Sequence, residues 1–227
     1  MNQLQRDLLR RRITEKFTRN PARPGDRSAA VLLPIVDRIE PAVVGIWRAQ
    51  HGIHGGQFCF PGGSVEAGDE NAWETAIRET REEIGLEDPV ESLSGLGEYN
   101  THVSSFRVDV HVGFVDGNPR WRRQPSEVEA ILEIPLSFLQ GLHARLPKVE
   151  DVWDLPIDAG YDLDPSPFLI DGELPERGAG HRLEAAEGPR DMPFIWGLSA
   201  RVLYDFLNRA WEPALEDMKS SRRIRRP

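Results

Sequence analysis

The segment from Phe60 to Leu86 constrains this chain more than any other part of its sequence. It opens with a pair of glycines, Gly62-Gly63, which follow a short apolar run. Farther on, Glu79, Glu82 and Glu83 are spaced at i, i+3 and i+4, and a helix places such positions side by side on one face. The segment therefore predicts a strand, a glycine turn and then a helix with clustered carboxylates.

Three neighbouring carboxylates repel one another, so this acidic face is either a solvated surface or a place for a cation. A hard divalent ion prefers oxygen ligands, and a strand, glycine turn and helix in succession suit phosphate and metal binding. Arg78 can hold a neighbouring carboxylate by a charge-assisted hydrogen bond. We therefore predict a divalent-metal site on this helix. Its predicted ligands are Glu79, Glu82, Glu83 and a backbone carbonyl at Gly63.

The run from Arg78 to Leu86 follows the pattern R-E-x-x-E-E-x-G-L. It resembles the second half of the Nudix box, and Gly63 with Glu70 resembles the first half. The chain departs from the usual box in two places, because six rather than five residues separate Gly63 from Glu70 and Thr80 replaces an aliphatic residue. The resemblance implies an α+β Nudix fold with a mixed β-sheet sandwiched between α-helices. It also implies hydrolysis of a diphosphate linkage with Mg²⁺ or Mn²⁺.

Segments outside the box are similar to one Nudix subgroup, the coenzyme A diphosphatases. The extra residue before Glu70 is also a feature of that subgroup. Two departures bear on the substrate: no arginine stands between Arg48 and His54, where the subgroup usually has one, and Ser105 replaces a glycine. The similar segments are His54–Gly63, Val103–Val108, Gln124–Val128, Ile134–Leu139 and Ile195–Ala200.

The candidate site residues fall into two further groups beside the metal ligands. The predicted catalytic residues are Glu82, Glu79, Arg78 and Glu127, and the predicted substrate contacts are Arg48, His54 and Gly62. Arg78 is expected to orient carboxylates, while Glu82 or Glu127 would act as the base. Plainer interpretations stay open: Glu127 as a surface residue, His54 as a turn residue, and Glu70 as a helix cap that favours the dipole.

Three functions are compatible with these residues. The first is metal-dependent hydrolysis of coenzyme A or acyl-CoA, giving 3′,5′-ADP and (acyl-)4′-phosphopantetheine. The second is hydrolysis of ADP-ribose or another nucleoside diphosphate derivative. The third is a non-catalytic binding module that keeps the fold. The intact glutamate cluster speaks against the third function, because a module without catalysis has no need for clustered like charges.

Composition and charge exclude several classes of protein and partner. No apolar run is long enough to span a bilayer, and the basic N-terminus lacks the apolar core of a signal peptide. The single cysteine, Cys59, is expected to be a small apolar residue of the core. A chain that cannot form an internal disulfide is compatible with a reducing cytoplasm. The net charge is −9 although both termini are basic, so the body between them would repel nucleic acid. A small-molecule diphosphate is the expected partner, and a homodimer remains possible.

The chain divides by pattern into a basic N-terminal helix at 1–27, a hydrolase domain at 28–212 and a basic tail at 213–227. Within the tail, residues 218–227 are expected to be disordered. Within the domain, 143–192 is rich in Pro, Gly and Asp and reads as an insertion or a disordered loop. Predicted helices are 3–17, 136–142 and 197–211, beside the acidic one. Predicted strands are 29–36, 42–47, 57–60, 93–99, 106–115, 128–134 and 194–196, with Pro34 expected at an irregularity or an edge.

Overall fold

The computed structural model describes residues 1, 3–16, 27–50, 55–100, 106–156, 159–174 and 194–224. The helices are α1 (Gln3–Lys16), α2 (Ala72–Ile84), α3 (Leu136–His143), α4 (Gly197–Asp205) and α5 (Glu212–Ile224), with a π-helical stretch, Phe206–Trp211, joining the last two. The strands are β1 (Arg27–Asp37), β2 (Ala42–Arg48), β3 (Phe58–Cys59), β4 (Gly62–Ser64), β5 (Val90–Asn100), β6 (Phe106–Asp116), β7 (Val128–Pro135), β8 (Tyr161–Asp162), β9 (Leu169–Gly172) and β10 (Phe194–Ile195).

Eight of these strands form one mixed sheet in the order β5-β6-β1-β2-β7-β9, with β3 paired to β2 and β4 paired to β1. The pairing of β1 with β6 is parallel along the full length of both strands, whereas the other pairs in this sheet are antiparallel. The two remaining strands, β8 and β10, pair with each other. The predicted strand at 194–196 is therefore real, but it lies outside the main sheet.

Both faces of β1 and β2 are buried, which explains their nearly continuous apolar sequences. On one face, Leu33 and Ile35 pack in a large core with residues of α1 and α4. On the other face, Leu32 packs against Ala76 of α2 in a smaller cluster. The predicted fold, a mixed sheet sandwiched between helices, is confirmed.

Pro34 lies in the interior of the sheet, so its prediction as an edge residue is wrong. Its position nevertheless marks an irregularity. On one side of β1, residues 29–31 pair with β4 and residues 35–36 pair with β2, and Pro34 falls between these two partners. A residue without an N–H group is tolerated there because the ladder on that side is interrupted.

The prediction of disorder is wrong for residues 218–224, because they belong to α5, whereas residues 225–227 lie outside the described residues. Ala214 is buried, and Arg12 of α1 donates two hydrogen bonds to Asp217, at 3.0 and 2.6 Å. The predicted N-terminal helix is present as α1, with Leu9 and Ile13 in the core. Leu4 is 45% exposed, so the predicted apolar face begins later, and Phe17 lies outside the described residues.

The segment after α3 is packed rather than loose wherever it is described. Val152, Leu155, Tyr161 and Leu163 are buried in the main core. Tyr204 of α4 fixes this segment by accepting a 2.9 Å hydrogen bond from Val149 N and donating one of 3.1 Å to Pro147 O. The prediction of disorder is thus wrong for residues 143–156 and 159–174, whereas the insertion stays a prediction and residues 175–192 lie outside the described part. The domain boundaries themselves stay a prediction.

None of the helices in the described part of the chain has both the length and the apolar character that crossing a membrane requires.

Candidate functional site

The glycine turn places β4 directly against the sheet and the acidic helix. Gly62 has φ 154°, and a Cβ there would lie 2.3 Å from Ala30 O. A Cβ on Gly63 would lie 2.4 Å from the Glu79 carboxylate. The position of Gly62 therefore requires glycine, because its positive φ and the backbone of β1 leave no space for a side chain. A side chain at Gly63 would instead push the Glu79 carboxylate aside. Sequence reasoning placed this turn correctly but missed that its glycines form a strand of the sheet.

Local hydrogen bonds fix the ends of α2. Asn71 is the N-cap, and its side chain accepts a 3.1 Å hydrogen bond from Glu74 N. The prediction of Glu70 as the cap is wrong, since only its backbone N–H takes part, donating to Glu74. Gly85 ends the helix in the left-handed conformation at φ 64°. Thr80, which is unusual for the box, is buried, and its hydroxyl keeps a hydrogen bond because it donates to Ala76 O at 2.6 Å.

Glu83 is the most buried carboxylate of the site, with a side chain only 2% exposed. Its Oε2 accepts a 2.9 Å hydrogen bond from Gly62 N, and its Oε1 lies 3.6 Å from Arg48 Nη1. Burial raises the pKa of Glu83 to about 8, although Gly62 and Arg48 act against the rise. The surrounding protein therefore compensates this negative charge only in part.

Arg78 gathers the other two glutamates of the helix. Its Nη1 donates to Glu79 Oε1 at 3.0 Å and to Glu82 Oε2 at 3.2 Å, and its Nη2 donates to Ser64 O. Glu82 is 57% exposed, whereas Glu79 is 15% exposed. Burial raises the pKa of Glu79 and the Arg78 hydrogen bond opposes this rise. These contacts have the geometry that the orienting role of Arg78 needs, and that role stays a prediction.

Asp69 is a site residue that sequence reasoning missed. Its two oxygens accept hydrogen bonds from Arg78 Nε and Nη2, both at 3.1 Å, and Oδ2 also accepts from Thr75 Oγ1 and Glu66 N at 2.9 Å. The Arg78 hydrogen bonds are the main reason that the pKa of Asp69 lies well below its usual range. The signal was present, because five residues separate Asp69 from Gly63, the spacing usual in the box, whereas six separate Glu70 from it.

Arg48 and Glu127 approach the same cluster from the opposite side. Arg48 ends β2, and its charge interacts with Glu83, Glu127 and the Cys59 thiol. Glu127 is exposed, and its charge also acts on Glu79 and Glu83. Burial raises the pKa of Cys59 to about 12, so the thiol stays neutral, as a core residue would. His54, the other predicted substrate contact, lies outside the described residues.

The side chains of the site have the right donor atoms for a divalent ion, but they do not yet stand in positions that would coordinate one. In the described part of the chain, no three Asp, Glu, His or Cys side chains form a group that could hold a metal as they stand. Arg78 holds Glu79 and Glu82, while Glu83 turns toward Gly62 and Arg48. The donors are nevertheless hard oxygens, and the Gly63 backbone lies directly beside the Glu79 carboxylate. The predicted ligands would hold Mg²⁺ or Mn²⁺ after a change of rotamers.

The fold and the site together define an α+β domain that presents several carboxylates beside a glycine turn. Residues 26–148 match the family model of the NUDIX domain. An uncharacterized Nudix hydrolase named NudL from Salmonella dublin is 37% identical over 197 residues, covering 86% of this chain and 86% of that protein. The protein of the same name from Salmonella newport (strain SL254) is 37% identical over 178 residues, covering 78% and 79%. The chain therefore belongs to the Nudix family.

Membership confirms the prediction of an enzyme, a Nudix hydrolase, and members of this family generally need divalent metal ions. Among solved structures, the NUDIX domain of Shewanella oneidensis NrtR complexed with ADP ribose is similar with a TM-score of 0.41 and 17% identity. The similarity covers 51% of this chain and 76% of that chain. A similarity this weak carries no information about the substrate of this protein.

Proposed function

We propose that this hydrolase cleaves the diphosphate linkage of a nucleoside diphosphate derivative, and that the substrate is coenzyme A or acyl-CoA. The products are 3′,5′-ADP and (acyl-)4′-phosphopantetheine. The observation that carries the cleavage reaction is the cluster of Glu79, Glu82 and Glu83 beside Gly62-Gly63. The coenzyme A assignment is supported by the subgroup-like segments around the box, and the reaction is expected in the cytoplasm.

In the proposed mechanism, each side chain has a distinct task. Glu79, Glu83 and the Gly63 carbonyl would hold Mg²⁺ or Mn²⁺, and Arg78 would keep Glu79 and Glu82 in position. A divalent ion, when bound, neutralises charge on the phosphate groups and activates water for attack. The protein contributes mainly orientation, because in-line displacement at a diphosphate needs little covalent chemistry from side chains.

Glu127 is the better candidate for the general base. Its carboxylate is exposed and close enough for its charge to act on Glu79 and Glu83, and it has no hydrogen-bond partner within the described residues. Glu82 is already engaged by Arg78 at 3.2 Å, so proton transfer to it would have to break that contact. Glu82 remains the alternative: it would act either as the base or as a further ligand of the ion.

A substrate panel tests the proposed function. Coenzyme A, acetyl-CoA, 3′-dephospho-CoA and ADP-ribose are incubated with the protein and Mg²⁺ or Mn²⁺, and products are separated by chromatography. We expect coenzyme A to give 3′,5′-ADP, with the dephospho compound as a matched probe of 3′-phosphate recognition. Turnover of ADP-ribose without turnover of coenzyme A would overturn the coenzyme A assignment. This alternative substrate is favoured by the missing arginine between Arg48 and His54. If no diphosphate is hydrolysed, the proposed reaction is wrong.

Glu83→Gln tests the metal site directly. The amide keeps the shape of the side chain and still accepts the Gly62 N–H, but it cannot supply a charged oxygen to a cation. We expect kcat to fall by roughly 10²- to 10³-fold without loss of thermal stability, because the buried charge of Glu83 is only partly compensated in the fold. Glu133→Gln is a matched control, since Glu133 is also a buried glutamate paired with an arginine, Arg38. Near wild-type activity of the Glu83 variant would show that the metal site is misplaced.

A further inference from the structure

Arg48 has a fixed backbone and a side chain that points at the most buried carboxylate of the site. Its N–H donates to Gln57 O at 3.0 Å, and its carbonyl accepts from Gly56 N at 3.1 Å. Its guanidinium lies with Nη1 3.6 Å from Glu83 Oε1, and 35% of the side chain is exposed. The main chain of Arg48 is therefore fixed on both sides, while its guanidinium can still move.

Each of the two arginines of the site contacts a different set of carboxylates. Arg78 bonds to Asp69, Glu79 and Glu82, whereas Arg48 faces Glu83 and Glu127. The Arg78 contacts are short hydrogen bonds that α2 and the turn around Asp69 hold in place. The Arg48 contact, at 3.6 Å, is an ion pair without a short hydrogen bond. Arg48 also hydrogen-bonds the Cys59 thiol, a weak acceptor, whereas every acceptor of the Arg78 side chain in the described structure is a carboxylate or carbonyl oxygen, so Arg48 is the easier of the two guanidinium groups to displace.

We propose that Arg48 competes with the catalytic divalent cation for Glu83, so that Arg48 and the cation weaken each other's hold on this carboxylate. The inference rests on the proposed cation site. A cation bound through Glu83 Oε1 would stand within a few ångströms of the guanidinium, and two positive charges at that distance repel. Arg48 would then turn away from Glu83, and its exposed side would be free to face the phosphate groups of the substrate.

Thermodynamic linkage fixes the sign of the expected effect. If Arg48 stabilises Glu83 chiefly before the cation arrives, removing Arg48 must destabilise the cation-free protein more than the cation-bound protein. By reciprocity, the same substitution must tighten cation binding by an equal free energy. A residue that merely contacts substrate would change the KM for the substrate and leave cation affinity unaltered. Cation affinity without substrate therefore separates the two roles.

The test measures Mn²⁺ binding by titration calorimetry and thermal unfolding with and without saturating Mn²⁺, all without substrate. We expect Arg48→Gln to bind Mn²⁺ about 5- to 10-fold more tightly than the wild type, and to gain more thermal stability from Mn²⁺. Arg48→Lys, which keeps the charge, should stay close to the wild type. Unchanged or weaker Mn²⁺ binding by Arg48→Gln would overturn the proposal.

Arg38→Gln is the matched control. Arg38 is 37% exposed and pairs with Glu133, whose side chain is 6% exposed, so the pair resembles that of Arg48 and Glu83. It lies beyond the far end of β2, a strand of roughly 20 Å. We expect this substitution to lower stability equally with and without Mn²⁺ and to leave Mn²⁺ affinity unchanged. If Arg38→Gln also bound Mn²⁺ more tightly, the effect would come from the lower net charge of the protein rather than from competition at Glu83, and the proposal would be overturned.

A second measurement uses the unaltered protein and does not depend on the folding of a variant. Phenylglyoxal modifies accessible arginines, and the modified peptides are identified by mass spectrometry. Saturating Mn²⁺ should increase the reactivity of Arg48 at least about twofold, since the cation displaces it from Glu83. Equal or lower reactivity would contradict the competition. If the wild type binds no Mn²⁺ at all, the proposed cation site fails, and that outcome differs from intact binding without competition.

Discussion

At the scale of single residues, the box motif identifies the helix but not the partner of each side chain. Glu79, Glu82 and Glu83 share one face of α2, as the spacing predicts, yet their exposure ranges from 57% for Glu82 to 2% for Glu83. The difference arises because α2 lies on the sheet, so Glu83 faces Gly62 while Glu82 faces solvent. A spacing pattern gives the face of a helix, whereas burial depends on what packs against that face.

The contrast between Asp69 and Glu70 yields a prediction at this scale. Asp69→Asn should lower kcat by about 10- to 100-fold and weaken Mn²⁺ binding. The reason is that Arg78 loses the carboxylate that holds its guanidinium group beside Glu79 and Glu82. Glu70→Gln should behave like the wild type, since its side chain makes no contact with Arg78 in the described structure. Steady-state kinetics and Mn²⁺ titration of both variants check this.

Asp69 acts through Arg78 and is a positioning residue, so its substitution should lower kcat with little change in KM. Asp69→Glu is the informative rescue variant, because it restores the charge with a longer reach. Loss of activity in Glu70→Gln together with a normal Asp69→Asn would reverse the assignment and restore Glu70 as the acidic residue of the box.

At the scale of elements, strands β1 and β2 and helix α2 could be predicted, whereas β4, β8, β9 and α5 could not. The apolar run of β1 and the cap and spacing of α2 are local signals. By contrast, β4 contains two glycines and forms because β1 offers it a partner. Likewise, the basic C-terminal half of α5 resembles a solvated tail, and the helix is ordered by contacts with α1, which no local pattern shows.

The docking of α5 leads to a prediction for this element. Ala214→Asp should lower the free energy of unfolding by about 2–4 kcal/mol, because it places a charge on the buried face of α5. Ser220→Asp adds the same charge at an exposed position of the same helix and should change stability by no more than about 0.5 kcal/mol. Urea denaturation of both variants provides the comparison, and equal, small effects would mean that α5 does not dock.

At the scale of the whole molecule, the basic residues of the N-terminal helix are paired with acidic residues of the sheet, a distribution of charge that the sequence does not indicate. The arginines of α1 suggested a basic arm, but Arg6 pairs with Asp37, Glu91 and Asp116, and Arg10 pairs with Glu91. The basic helix therefore neutralises acidic ends of three strands. Net charge along a sequence could not reveal this, because the acids lie far from α1 in the chain and meet it only after the sheet has formed.

A buried histidine gives the molecule a predicted dependence on pH. His143 is fully buried, and burial, with a smaller contribution from the charge of Lys148, lowers the pKa of His143 to about 4. Between about pH 4 and about pH 6.5, the ordinary pKa of histidine, the folded state therefore binds fewer protons than the unfolded state. Stability should be complete above about pH 6.5 and should fall by roughly 3 kcal/mol as the pH drops toward 4.

Urea midpoints at a series of pH values, measured for the wild type and His143→Gln, test this dependence. The variant should be less stable near neutral pH because it loses the Tyr161 contact and some packing, but its decline toward acid should be shallower. Burial also lowers the pKa of His111, so part of the acid sensitivity should persist. Parallel curves for the two proteins would show that His143 is not the group responsible.

The parallel pairing of β1 with β6 has a consequence for how the chain folds. Ser28 and Arg107 meet across this pair although 79 positions separate them in sequence. Such a contact forms late, because the loop must close before the pairing gives any stabilisation. Until β6 arrives, the apolar run of β1 has a free edge along its whole length, because Pro34 marks a change of partner only on the opposite side of the strand. The nascent chain is therefore exposed to pairing with other chains along the edge that β6 later covers.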